Sequence, residues 1–463
     1  MAESTTVQPG RTLDLLRHVA RVANSDLEPR DVEAIRRLFI DCFLVSLWGS
    51  TRPAAKELAQ WSQQFAGTGP CPVLGANWTT EPSTAALIFG TAGHSYELDD
   101  THDETTSHPG CVIIPAALAV GTATGATQAE LFRAVAAGYE AMTLVGCTAG
   151  GLDTVHNGFH PTSVFGSFGA ATACLSLYAF QKGETVSEDM LATAWGHALS
   201  QACGSMQFSL EPRGGEVKRL HAGLGARNGV LAAQFTQLPA MTTPHLCVEG
   251  AYGVAGMFGG PLREVKPGDD LQIHIISFKP YSCCSLFHST IDALRQITDD
   301  FTAPTDNIED ILIARPRLIA EQHMTPAQST MTAQYSCPYI VGATLAYGPT
   351  RYDAYGEEFL NDPAILRIAA KVRFEVDEEL ERTYYPRQFA TSATIRHADG
   401  TQRSAMVTDS LGTARHPMTL DQLLAKGDGL TSQGDFPAPR ALADVIWNDD
   451  ADASTLMTAL TAR

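Results

Sequence analysis

Basic residues are scarce in this chain of 463: 32 lysines and arginines stand against 51 aspartates and glutamates, a formal charge of −19. That balance argues against a nucleic-acid partner, because phosphate backbones are held through a basic footprint. It leaves room for a small anionic substrate, which feels the field of its own pocket more than the net charge. Charged residues of both signs reach only 18% while hydrophobic residues reach 44%, which excludes a disordered chain and supplies a sizeable core. No CxxC pair occurs among the ten cysteines; Cys42, Cys147 and Cys174 lie in apolar stretches and read as reduced core thiols, with no metal motif by spacing. The N-terminus, with Glu3 and Pro9-Gly10-Arg11, lacks the apolar stretch of a secretory signal. The uncharged run 110–129 contains Pro115 and many small residues, so it reads as a buried core segment rather than a membrane span. The expectation is a cytoplasmic or organelle-interior protein with no membrane partner.

Length alone suggests about three domains, but the patterning divides the chain differently. From about residue 11 to 262 the apolar period is helical. Val32, Ile35, Leu38, Phe39, Cys42 and Phe43 recur at three- and four-residue steps behind Asp31. Thr127-Gln128-Ala129-Glu130 has the form of a capping box, and Ser187-Glu188-Asp189 opens another helix. Gly166, Gly169, Ala170, Ala171 and Ala173 imply helices in close contact and buried on several sides. After Pro261 to Lys266 the texture changes to short stretches that read as strands, over 271–278, 308–313, 370–376 and 390–397, the last followed by Asp399-Gly400. Amphipathic helices are expected over 289–297 and 335–347. From Thr419 the pattern returns to helix, and 441–460 is expected to pack back on the first part. The fold class is therefore mainly α with an α+β insert. A helical domain is built from both chain ends, 1–262 and 411–463, around a smaller α+β domain, 263–410.

Two stretches carry the chemistry. Residues 97–103 hold Glu97, Asp99, Asp100 and Asp103 with Thr101 and His102, and His108-Pro109 follows; farther on stands Lys218-Arg219-Leu220-His221. Ionisable groups so near apolar segments are costly unless they bind or transform something. Asp99, Asp100 and Asp103 have the DDxxD spacing by which carboxylates on one helix face share magnesium and a diphosphate. A magnesium-dependent prenyl synthase is thus one reading. It requires a second acidic cluster, and Asn448-Asp449-Asp450 lacks the hydroxyl and glutamate that should follow. The plainer reading is a solvated helix end favoured by the dipole. His108-Pro109-Gly110 and His160-Pro161-Thr162 each open onto a segment of small, apolar residues. One such histidine is ordinarily structural; two suit proton transfer at a carbon acid. Lys218, Arg219 and His221 follow Gly214-Gly215, and a helix starting there would add free amides to two cations, an anion pocket; the alternative is a basic patch balancing Glu211 and Glu216. Lys279, in Lys279-Pro280-Tyr281-Ser282-Cys283-Cys284, suits a second carboxylate grip between strand and helix, and Tyr339 offers a phenol or simply fills core.

Taken together these segments resemble the MmgE/PrpD family, over nearly the whole chain. Its members include 2-methylcitrate dehydratases, cis-aconitate decarboxylases and iminodisuccinate epimerases. The resemblance is carried by 93–101 with His108-Pro109, by Phe159-His160-Pro161-Thr162, by 218–223, by 279–284, and by Ala333-Gln334-Tyr335-Ser336-Cys337-Pro338-Tyr339. It implies a large helical domain, an α+β lid, a homodimer, and an interdomain cleft that needs no cofactor and no metal. It places His108, His160 and Lys218 in the site, with Asp99, Thr101, Lys279 and Tyr339 around them. Two departures from the animal cis-aconitate decarboxylases stand out: Cys284 replaces a histidine, and Glu97 replaces an aspartate. Fungal decarboxylases share the Tyr-x-Cys-Cys turn.

The expected function is a cofactor-independent lyase acting on a small di- or tricarboxylate beside a carboxylate. Lys218, Lys279 and Arg219 would bind carboxylates, and His108 and His160 would move protons. Asp99 or Asp100 would orient an imidazole, and Thr101, His221, Cys284 and Tyr339 would line the substrate. Loss of water ranks first, loss of carbon dioxide second and epimerisation third. A non-catalytic carboxylate sensor is the reading from another class.

Overall fold

The computed structural model describes residues 10–211, 214–317, 326–432, 434 and 436–461. Helices dominate up to Phe235, and their ends follow local chemistry. Thr127 and Glu130 form a reciprocal capping box at the start of Gln128–Ala149, and the Ser187 side chain accepts from the Met190 N–H before Glu188–Leu199. Pro29–Gly49 begins with a proline behind a Glu28/Asp31 capping box and buries Ile35, Leu38, Phe39, Cys42 and Phe43. The run read as core forms the helix Gly110–Thr124, buried from Gly110 through Gly121. Around it pack Pro82–Gly93, Gln128–Ala149, Pro161–Gln181 and Val217–Phe235. Small residues set the closeness of this packing. A Cβ on Gly223 would stand 2.3 Å from the Leu87 carbonyl oxygen, and one on Gly229 would stand 2.2 Å from Ala170 Cβ. These approaches seat Val217–Phe235, which carries Lys218, Arg219 and His221, directly against its neighbours. Among the described residues one helix, Pro161–Gln181, is long and apolar enough to cross a membrane, and 89% of its apolar window is buried inside the protein.

The insert is built on a four-stranded sheet in the order Val372–Val376, Ile308–Arg315, Thr391–His397, Gln402–Val407. The first pair is parallel and the other two are antiparallel. Alternating burial along Ile308–Arg315 puts Ile311 and Ile313 into a core shared with the helices His288–Ile297 and Cys337–Tyr347. The chain then returns to the helical part. Leu420–Thr431 and Pro439–Ile446 pack on Pro29–Gly49, and Ala453–Thr461 packs on Gly110–Thr124. The architecture is mainly α with a small α+β part.

Three sequence expectations are corrected. The stretch 271–278 is no strand: it contains a single 3-10 turn, Gln272–Ile275. Helical-domain side chains capture it, since Glu140 accepts from the Gln272 N–H and Asp31 lies 2.7 Å from His274 Nε2. Ile273 and Ile276 join the helical core, and Tyr281 is the first residue of the insert's own core. The acidic segment is not on a helix; it is the connection between Pro82–Gly93 and Gly110–Thr124. Nor is it a solvated helix end, because Glu97, Asp99 and Asp100 are all buried.

Candidate active site

The connection 94–109 is held in place from both domains. Thr101 and Ser277 exchange backbone hydrogen bonds of 2.8 Å, and the His102 N–H donates to the Ser107 carbonyl. From the insert, Ser282 Oγ and Gln334 Nε2 both donate to the Tyr96 carbonyl oxygen. From the C-terminal return, Lys426 Nζ donates to the Leu98 carbonyl oxygen at 2.8 Å and to Asp41 Oδ1 at 2.7 Å. The segment that carries the carboxylates is therefore fixed by three separate parts of the chain.

At its centre Glu97 meets three cations. Lys218 Nζ and Arg219 Nη1 both donate to Oε1, and Lys279 Nζ approaches Oε2 at 3.4 Å. Burial alone would raise the Glu97 pKa, but Lys218, Lys279 and Arg219 outweigh it and hold the carboxyl well below the ordinary range. Burial pulls Lys218 down from the usual lysine value, with Glu97 opposing. Burial acts the same way on Lys279, but Asp99 and Glu97 outweigh it and its pKa is raised. Arg219 reaches across the domain junction, donating from Nη2 to Gln334 Oε1 at 2.8 Å. The Tyr335 ring lies 5.3 Å from Lys218 Nζ.

Imidazoles crowd beside this cation group. Ring centroids are 5.0 Å apart for His94 and His108, 5.6 Å for His94 and His160, and 5.2 Å for His160 and His221. Asp99 Oδ2 lies 2.7 Å from His94 Nδ1 and 3.4 Å from His108 Nδ1, while Oδ1 lies 3.4 Å from Lys279 Nζ. His108 Nδ1 stands 2.8 Å from the Asp100 carbonyl oxygen and 3.2 Å from Thr101 Oγ1, an arrangement that puts its proton on Nδ1 and leaves Nε2 as the base. Its side chain keeps 12% exposure, while that of His94 has none. His160 and His221 share a contact of 3.1 Å between their Nδ1 atoms, one donating and the other accepting. Burial is the largest influence on each ring: it pushes His108 to about 3 and His221 to about 4, and takes His94 and His160 below the usual value. All four are neutral near pH 7.

The structure thus brings together Lys218, Arg219, Lys279, Asp99, Thr101, His108, His160 and His221. Cys284 is buried in the same junction, its backbone N–H donating to the Gln334 carbonyl and its thiol pKa raised chiefly by burial. Two expected contributors face elsewhere. The Tyr339 hydroxyl donates to the carbonyl oxygens of Ala354 and Phe359 inside the insert, so its phenol is spent there. The Asp100 carboxylate accepts from the Gly110 N–H at 2.7 Å and from the Tyr139 hydroxyl at 2.8 Å, and burial pushes its pKa up to about 7. Its carbonyl, not its carboxylate, orients His108. Asp103 accepts from Ser277 Oγ. The three aspartates of the DDxxD therefore point at different partners and share no metal-binding face. Among the described residues one trio, His94, Asp99 and Cys111, brings possible ligand atoms within 4.8 Å. Burial raises the Cys111 pKa well above its ordinary value, and its thiol donates to Asp99 Oδ2 at 3.2 Å.

Glu97, His94, Gln334 and Tyr335 were not among the residues expected to line the site. Glu97 was visible as one carboxylate of the acidic stretch and as a departure from a family motif, and His94 only as part of a motif. A charge-poor chain that puts one glutamate 121 residues before two adjacent cations gives no local sign of the pairing.

Models of two families of domain match the chain: the MmgE/PrpD N-terminal domain over residues 14–264 and the MmgE/PrpD C-terminal domain over residues 281–444. A cis-aconitate decarboxylase-like protein of Aspergillus oryzae is 26% identical over 404 residues, 82% of each chain. The cis-aconitate decarboxylase of Aspergillus terreus is 24% identical over 91% of this chain and 89% of its own. The human cis-aconitate decarboxylase is 23% identical over 94% of this chain and 91% of its own. With both domain models matched in order, and the cations and imidazoles converging where the two domains meet, the chain belongs to the MmgE/PrpD family and is a lyase-type enzyme.

Proposed function

We propose that this enzyme acts on a small di- or tricarboxylate, gripping one carboxylate through Lys218, Arg219 and Lys279 and moving protons at the adjacent carbon through His108 and His160. The observation that carries the reading is the buried convergence of three cations with four neutral imidazoles at one domain junction. A neutral imidazole accepts or returns a proton at carbon, and fixed cations stabilise the negative charge that develops on the neighbouring carboxylate. Holding the carbon against the imidazole contributes several kcal/mol more, about the amount that orientation commonly supplies.

The same grip serves three outcomes, distinguished by what leaves the carbon. The relatives' activity, cis-aconitate decarboxylation, favours loss of carbon dioxide ahead of loss of water. In that reading the electron pair of the broken C–C bond is stabilised by the gripped carboxylate, and the carbon then takes a proton that an imidazole passes on from water, the ring ending neutral as it began. Dehydration of a citrate-type hydroxy acid is the second reading, favoured by Lys218: a buried ammonium with a lowered pKa can hand a proton to departing hydroxide. A homodimer, implied by the family resemblance, belongs to the same proposal.

The test is incubation of the protein with citrate, 2-methylcitrate, cis-aconitate and iminodisuccinate in deuterated water, followed by proton NMR. Loss of carbon dioxide from cis-aconitate is the expected result. Water loss from a hydroxy acid would establish the second reading, and inertness toward every one of these acids would refute the carboxylate assignment.

A further inference from the structure

Glu97 lies where the anion grip would hold a ligand. Among the described residues, every polar partner of its carboxylate is a cation: Lys218, Arg219 and Lys279. No backbone amide or hydroxyl among the described residues is bonded to it, in contrast to Asp99, which is tied to His94 and Cys111 as well as to Lys279. The backbone at Glu97 has φ of 56°, the left-handed region that a residue with a Cβ occupies only at a cost. The loop accepts that strain at the very residue whose side chain is gripped by all three cations.

Charge balance gives this arrangement a consequence. Lys218, Arg219 and Lys279 face Glu97, Asp99 and, 3.6 Å from Arg219 Nε, Glu216, and the imidazoles beside them are neutral, so the three cations are already balanced near pH 7. A di- or tricarboxylate brings at least two negative charges. With Glu97 in place the incoming carboxylate meets a like charge on the same nitrogen atoms. With Glu97 displaced, one carboxylate replaces another on the same donors, and the buried cations stay paired throughout.

We propose that Glu97 is a resident carboxylate that fills the anion grip of the unliganded enzyme and yields it to a carboxylate of the substrate. The inference rests on the carboxylate-substrate reading above and deepens it into a rule of selection. A monocarboxylate that merely replaces Glu97 gains little, because it exchanges one ion pair for another and gives up its own freedom. A ligand with two or three carboxylates gains from the groups that find further donors, so the tethered glutamate screens for polycarboxylates. Lys279, whose contacts to Glu97 and Asp99 are both long at 3.4 Å, is the cation with most to gain from the exchange.

Calorimetric titration of the full chain at pH 7 with tricarballylate, a saturated and unreactive tricarboxylate, and with acetate tests this. Glu97→Gln removes the competing charge. Tricarballylate should bind that variant at least about tenfold more tightly than the wild type, and acetate should bind the variant but not the wild type. Binding to the wild type with no gain in Glu97→Gln overturns this inference and leaves the carboxylate reading standing. Absence of tricarballylate binding to both proteins overturns the two together. Should Glu97→Gln fail to fold, a crystal structure of the wild type with tricarballylate decides. A ligand carboxylate on Lys218 and Arg219, with the Glu97 carboxylate moved off them, is the expected result; Glu97 still bonded to both beside the ligand overturns the inference.

Discussion

Replacing Lys426 by methionine should be strongly destabilising. Lys426 comes from the C-terminal helix Leu420–Thr431 and its side chain is 2% exposed. Its ammonium serves Asp41 on Pro29–Gly49 and the carbonyl of Leu98, the residue before Asp99. Methionine keeps most of the stem volume and removes only the charge and its donors. Burial raises the Asp41 pKa, with Lys426 as the largest opposing influence, so the variant leaves a carboxylate with no counter-ion and a carbonyl with no donor. Breaking a buried pair in this way costs about 3–5 kcal/mol. The cost is relieved where Asp41 takes up a proton. Its folded pKa then lies above the unfolded value, so stability falls as pH rises, and the loss is larger at pH 8 than at pH 5. Urea unfolding followed by circular dichroism at both pH values measures it. Adding Asp41→Asn to Lys426→Met should recover most of the loss at pH 8, because the orphaned charge goes with it. A loss under about 1 kcal/mol at pH 8, or a double variant no more stable than the single one, would refute the reasoning.

His160→Gln should lower turnover about 10²-fold or more if this ring is the acid or base, read by the NMR assay; a near-normal rate would move the role to His108. Tyr339→Phe should cost roughly 1–2 kcal/mol of stability, since two carbonyls lose their donor, and should leave KM unchanged; a large rise in KM would return the phenol to the site. The melting temperature should fall as pH drops below about 6.5. His108 and His288 titrate near about 3 and His102 and His221 near about 4 in the folded protein, below the unfolded value, so acid favours the unfolded chain. Burial also raises Asp41, Asp100 (to about 7) and Asp103, which work in the opposite direction, but they are outnumbered by the lowered imidazoles, to which His94 and His160 also belong. A melting temperature flat from pH 7.5 to 5 would contradict buried neutral imidazoles.

Features set by neighbours in sequence were readable in advance. The Thr127/Glu130 box and the Ser187 cap are local hydrogen bonds between residues three apart, and both helices begin there. Strand Ile308–Arg315 alternates because one face meets the insert's core. The stretch 271–278 alternates too, yet its polar groups are claimed by Glu140 and Asp31 from helices far off in the chain, which no local pattern contains. The acidic segment misled for a related reason. DDxxD spacing suggests one helix face, but the positive φ at Glu97 and the Thr101–Ser277 bridge break any helix there. Tyr335 and Tyr339 lie one turn apart. The first sits before the helix Cys337–Tyr347, beside Lys218, and the second points into the insert's interior. The cations and imidazoles were named from their residue types and their setting beside glycine, proline and apolar runs. That Glu97 binds the cations was invisible without the fold.

Turnover by Lys218→Ala, measured by the same NMR assay alongside its thermal unfolding, addresses the central claim most directly. Glu97 keeps Arg219 and Lys279 as partners in that variant, so the fold should stay cooperative. Loss of one donor to the developing charge should cut turnover about 10²–10³-fold. A variant that works at the wild-type rate, or one that no longer folds, would contradict an anion grip built on Lys218.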